Sequence, residues 1–149
     1  GADVPFCILG GTALAEGIGE RLTALPPCPI IYILVVNPGF PVYTPQVYQN
    51  FKLEQVTKRP DIDKMIQAIA ENDPEVIIAN AANVLERSAF VLHPVLAELK
   101  NEIAGFGLKA MMSGSGGTVL GLSVDQEKVL YAQNRLKTKW PMVFSVTTG

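Results

Sequence analysis

The stretch with the clearest capacity for chemistry is SGSGGT, residues 113–118. Closely spaced glycines let backbone N–H groups converge on an anion such as phosphate, an approach that side chains would otherwise block. The GK[ST] ending of a Walker loop is missing, and a strand pattern follows where a dinucleotide fingerprint needs a helix. On spacing alone, Ser113, Gly114, Ser115, Gly116, Gly117 and Thr118 form either a phosphate-proximal loop or a plain hairpin turn.

A second candidate is NPGFPVYTPQVYQNF, residues 37–51. Thr44 reads as a helix N-cap with Pro45 at the first helical position. Around that helix start stand Phe40, Tyr43, Tyr48 and Phe51, whose faces could stack a base while the helix N-terminus holds an anion. The plainer reading is a core helix with amphipathic tyrosines at its edge. A third candidate, Asp3 in GADVPF, is by itself one carboxylate near a terminus, which is usually just solvated.

Other reactive types lead nowhere by spacing. His93 lies in an apolar helical pattern beside Pro94, which reads as a structural or surface position. Cys7 and Cys28 lack a CxxC or histidine partner and read as buried free thiols of a reducing compartment, hence a cytoplasmic chain. No metal cluster and no Ser–His–Asp ordering can be assembled. Trp140, Met111 and Met112 read as packing.

The elements that must position these residues follow from pattern. The chain has 149 residues, 48% hydrophobic and 17% charged, which suits one globular domain, or one domain with a piece of another. Its longest apolar run, IIYILVV, is strand-sized and too short to span a bilayer. A formal charge of −2, with 12 basic residues set against 14 acidic ones, gives no field for non-specific nucleic-acid binding.

From residue 6 to residue 25, apolar stretches broken by glycines predict short strands and tight turns. PPCP at 26–29 is the best linker, placing a boundary there. IIYILVV reads as a strand buried on both faces. Helical spacing joins Ile62, Met65, Ile66 and Ile69, and again Leu85, Ala89, Leu92, Leu96 and Leu99, with Pro94 kinking or resetting the second run. LKAMMS and TVLGLSV predict two strands around the glycine stretch, Asp125 a cap for the next helix, and MVFSVT a closing strand. The order predicts an α+β fold with helices packed on one face of a mainly antiparallel four-stranded sheet.

Taken together, GADVPF, GGTALAEGIGERL, LVVNPGFPVYTPQVY and MMSGSGGTVLGL resemble, in order and spacing, the C-terminal half of the GHMP (galactokinase, homoserine, mevalonate, phosphomevalonate) kinases. The likeness is to the branch that phosphorylates 4-diphosphocytidyl-2-C-methyl-D-erythritol in the non-mevalonate isoprenoid pathway. It covers essentially the whole chain, and four ordered motifs are far more specific than one. The resemblance implies a ferredoxin-like C-terminal domain over residues 29–149, preceded by a remnant of the N-terminal catalytic, ATP-binding domain over residues 1–28.

The resemblance also implies roles. Asp3 would be the catalytic acid/base that draws the proton from the hydroxyl attacking the γ-phosphate of ATP. Tyr48 would stack on the substrate's cytosine with Thr44 beside it, and residues 113–118 would be the glycine-rich loop near the nucleotide phosphates. ATP and Mg2+ would serve the intact parent, with none firmly bound to this piece.

The departures are informative. The family's upstream phosphate loop, of the type PxxxGLGGGSS, and the lysine that pairs with the catalytic Asp are absent, and Gly117 stands where Ala is frequent. The resemblance therefore implies a piece that is inactive alone, with self-association through residues 1–25, whose unpaired edges invite exchange. The alternatives are a small-molecule-binding regulatory module on the same architecture, or another GHMP kinase.

Overall fold

The computed structural model describes residues 4–56 and 59–148. The chain opens with helix α1, Val4–Leu9, where a strand is predicted. Among the described residues the FCIL segment has no sheet neighbour to pair with, so its backbone groups are satisfied locally instead. Gly10, at φ +67°, ends the helix and donates its N–H to Phe6 O at 2.8 Å. The predicted tight hairpin follows as β1, Ala13–Glu16, and β2, Arg21–Ala24, paired antiparallel.

The Thr12 hydroxyl accepts the Cys28 N–H at 3.0 Å, which ties the base of this hairpin to the proline-rich connection. Of the two cysteines expected to be buried, Cys7 is exposed and Cys28 half-buried. The apolar text around Cys7 forms a helix with no buried residue, so composition misleads there.

Four strands form the main sheet: β3 (Tyr32–Asn37), β4 (Lys109–Met112), β5 (Val119–Ser123) and β6 (Met142–Thr147). Their order is β4-β5-β3-β6, and every neighbour is antiparallel, in keeping with the mainly antiparallel four-stranded sheet that the sequence predicts. Seven-residue α2, Thr44–Asn50, is followed by α3 (Ile62–Ala70), α4 (Pro74–Asn80), α5 (Glu86–Leu92), α6 (Pro94–Gly105) and α7 (Gln126–Leu136).

The expected helical layer on one face is present. Val47 of α2, Ala89 of α5, Leu96, Leu99 and Ile103 of α6, and Val129, Ala132 and Leu136 of α7 pack against Leu34, Val36, Met112 and Val119. Complete burial of one such aliphatic side chain stabilises the fold by about 1.5–3 kcal/mol. A smaller layer lies on the opposite face, where Ala68 and Ile69 of α3 and Ile77 of α4 cluster with Ile31, Ile33 and Leu122. This second cover explains why β3 is apolar at successive positions when a sheet with one wet face would alternate.

Capping chemistry sets the helix starts. Asp61, Asp73 and Asp125 each accept a backbone N–H from the first turn of α3, α4 and α7. Pro94 resets the chain: α5 stops at Leu92, His93 takes φ −135°, and α6 begins at the proline.

Candidate functional site

The glycine-rich stretch is the hairpin loop between β4 and β5. It is closed by the Ser113 N–H donating to Thr118 O at 2.9 Å and the Gly116 N–H donating to Ser113 O at 3.0 Å. Gly116 sits at φ +115°, and a Cβ there would come within 3.0 Å of Met112 Sδ. Gly117, at φ +82°, is buried behind it. Conformation therefore favours glycine at both positions, and at Gly116 the close Met112 sulfur favours it further.

Among the described residues, no hydrogen bond uses the N–H of Gly114, Ser115 or Gly117. Residues 113–118 contain no ionisable side chain, so attraction of an anion by the loop itself would come from backbone dipoles.

The second motif meets this loop. Thr44 Oγ1 and Ser115 Oγ lie 2.7 Å apart, joining residues 71 positions apart in the chain. The expected N-cap role of Thr44 does not hold: Tyr43 occupies the cap position without a side-chain bond, and the Thr44 hydroxyl turns to the loop. Asn37 Nδ2 donates to Thr118 Oγ1 at 3.1 Å while its Oδ1 accepts the Gly39 N–H at 2.8 Å. One carboxamide thus fixes the NPG turn and attaches it to the far leg of the loop.

The four aromatic residues divide. Phe40 and Phe51 pack against the core, and Phe40 also lies against His93 with ring centroids 5.4 Å apart. Tyr43 and Tyr48 are 65% and 58% exposed, whereas Val47, next to Tyr48 on α2, is fully buried. The helix therefore shows Tyr48 to solvent on the same short element whose first residue touches the glycine loop. Asp3 lies outside the described residues.

Three polar residues near the loop escape the motif reading. Asn37 carries a recoverable signal, because Asn before Pro-Gly marks an Asx-type turn. Asn83 and Glu86, in NAANVLE, carry none; their side chains reach Met112 and Gly114 only through the tertiary fold. Burial pushes the Cys28 thiol above its ordinary value, opposed by a hydrogen bond with Thr148. Among the described residues there is no group of three or more His, Cys, Asp or Glu placed to hold a metal, and no helix is long and apolar enough to cross a membrane.

Residues 54–141 match the family described as "GHMP kinases C terminal". The chain is 48% identical over 128 residues to 4-diphosphocytidyl-2-C-methyl-D-erythritol kinase of Lachnoclostridium phytofermentans, covering 85% of this chain and 44% of that protein. It is 43% identical over 140 residues to the kinase of the same name from Lachnospira eligens, covering 93% of this chain and 49% of the relative. A crystal structure of 4-(cytidine 5'-diphospho)-2C-methyl-D-erythritol kinase superposes with a TM-score of 0.83 at 34% identity, over 100% of this chain and 54% of that one. The chain thus spans about half the length of the curated relatives it matches.

Proposed function

The chain belongs to the GHMP kinase family, and from that premise we propose that it supplies the C-terminal part of the site of an ATP-dependent small-molecule kinase. The acceptor is the 2-hydroxyl of 4-diphosphocytidyl-2-C-methyl-D-erythritol, the compound named in its relatives. The carrying observation is the Thr44–Ser115 contact, which puts the helix bearing exposed Tyr48 directly against the glycine-rich loop. A cytosine ring and a phosphate chain would be read by neighbouring elements.

The residues present fit part of a nucleotide site. The N–H groups of Gly114 and Ser115, unused within the protein, suit phosphate oxygens, and Gly116 and Gly117 hold the turn that exposes them. ATP, when bound, supplies the transferable phosphoryl group. Mg2+ is expected with it, and no residue here is assigned to the ion. Tyr48 would orient the acceptor by stacking, and Asp3 would accept the proton of the attacking hydroxyl. Positioning and charge stabilisation account for most of such a reaction, so a proton acceptor held away from its partners does little.

Residues 1–28 would belong with an N-terminal, ATP-binding domain and residues 29–149 would form the C-terminal domain. In support, the β1–β2 sheet is separate from the four-stranded one. A cytoplasmic location fits a small-molecule kinase.

The test is phosphorylation of the diphosphocytidyl substrate by the full-length protein that carries this chain, wild type against Asp3→Asn. Turnover should fall by orders of magnitude in the variant. Near-normal turnover would refute the role of Asp3, and a wild-type protein unable to phosphorylate this substrate would refute the assignment itself.

A further inference from the structure

The glycine-rich loop has three glycines at positive φ, at 114, 116 and 117, and such residues impose little direction on the chain. Its course is therefore set by bonds from outside it: those of Thr44 and Asn37 to Ser115 and Thr118, and those where it leaves the sheet. That point is Met112, the last residue of β4, whose side chain is fully buried in the core. Among the described residues β4 pairs only with β5, so its outer edge carries backbone groups that the sheet itself leaves unpaired.

Two side chains from the stretch entering α5 satisfy that edge at Met112. Glu86 Oε1 accepts the Met112 N–H at 2.8 Å. Asn83 Nδ2 donates to Met112 O at 2.8 Å and to Gly114 O at 2.7 Å. The amide orientation is determined by a third bond, since Asn83 Oδ1 accepts the Leu85 N–H at 2.9 Å. A flipped amide would set its oxygen against two carbonyls and its NH2 against an N–H. The other oxygen of Glu86 is held by the Lys100 ammonium.

We infer that Asn83 and Glu86 are positioning residues for the glycine-rich loop: they clamp the N–H and C=O of Met112 and the C=O of Gly114, and so aim the open N–H groups of residues 114 and 115 at the phosphate chain. The inference rests on the kinase reading above. Edge protection alone would need the Met112 bonds but not the bond to Gly114, which lies inside the loop. Both hydrogens of one carboxamide are committed across the strand-to-loop junction, so the loop cannot swing without breaking this bifurcated clamp.

The test uses the full-length protein and two independent readings. Asn83→Asp keeps the acceptor for the Leu85 N–H but replaces two donors with a carboxylate facing two carbonyls. Its 1H–15N spectrum should show displaced or broadened signals for residues 114–117, with Gly105 and Gly121 unmoved. Its KM for ATP should rise at least tenfold, while KM for the cytidylyl substrate stays within twofold. Glu86→Ala should act in the same direction, and Glu86→Gln, which still offers an acceptor to Met112, should restore most of the loss. Should Asn83→Asp fail to fold, Asn83→Ala removes the donors without adding charge and carries the same readings.

Unmoved loop signals in a folded variant overturn the clamp, whatever the kinetics. Moved loop signals with an unchanged KM for ATP overturn the phosphate role of the loop, and the aiming inferred here falls with it. A wild-type protein without kinase activity is the separate failure of the functional reading.

Discussion

The hydroxyls of Thr44 and Ser115, 71 residues apart in the chain, meet at 2.7 Å and join the first turn of α2 to the tip of the glycine-rich loop. Neither residue is buried, so water competes for this bond and its contribution to stability is small. Its value is geometric, because it sets the spacing between the helix that carries Tyr48 and the loop that carries open N–H groups.

Thr44→Val keeps the shape of the side chain and removes the hydroxyl. The chain is expected to lose no more than about 1 kcal/mol, seen as a small fall in the urea midpoint. The Ser115 and Gly116 amide signals should shift. A loss several times larger would mean that the hydroxyl pair is a main support of the fold.

Gly121 lies in β5 beneath α6, where an added Cβ would come within 2.6 Å of Ile103 Cγ2 and 2.9 Å of Leu108 Cδ1. Gly121→Ala should destabilise by about 1–3 kcal/mol through overpacking. Gly105, the last residue of α6, has nothing within 4 Å of its would-be Cβ. Gly105→Ala should be neutral or stabilise by up to about 1 kcal/mol. Thermal melts of the pair read the opposite signs directly, and equal shifts would contradict the packing at β5.

Asp125 Oδ1 accepts the N–H groups of Glu127 and Lys128 at 3.0 and 3.2 Å, capping the helix that buries Val129, Ala132 and Leu136. Asp125→Ala should cost about 0.5–2 kcal/mol, whereas Asp125→Ser should recover most of it. Denaturant titration of the three proteins checks the order.

Cys7 is exposed, while burial raises the Cys28 thiol above its ordinary value. Iodoacetamide near neutral pH should therefore modify Cys7 well before Cys28 in the 149-residue chain, as peptide mass spectrometry would show. The folded state holds the Cys28 proton more tightly than the unfolded state does. Whatever stability this adds is fully present below the unfolded pKa and is lost as pH rises through the folded one. Faster labelling of Cys28 would overturn the burial argument.

Val4, Ile8, Leu9 and Ile18 are 52%, 82%, 50% and 82% exposed on α1 and the β1–β2 hairpin. A two-stranded sheet with both edges open is marginal alone, and such apolar surface seeks a partner. The 149-residue chain is expected to self-associate through residues 1–25 at high concentration. A strictly monomeric profile in light scattering across the concentration range would count against it.

Much of the main sheet is legible in the sequence because each signal is local. The β-branched run of β3, the glycine break between β4 and β5, the Asp125 cap and the reset at Pro94 are each encoded within a few residues of where they act. The helix at Val4–Leu9 is misread because an apolar tetrapeptide bounded by glycine has no period long enough to separate strand from helix. Exposure of Cys7 is missed for a related reason: composition predicts burial only where another element arrives to cover it.

The candidate site divides along the same line. The sequence by itself determined which segments are the candidates for chemistry, because glycines at 116 and 117 and the aromatic residues around Thr44 are properties of residue type. It also determined the family, since four ordered motifs act as one long pattern. Only the tertiary structure decided that Thr44 bonds Ser115 instead of its own helix, that Tyr48 faces solvent while Val47 is buried, and that Asn83 and Glu86 grip the strand before the loop. These are contacts between residues far apart in the chain. A side-chain hydroxyl or amide has no sequence period and takes whichever partner the packed core sets within about 3 Å.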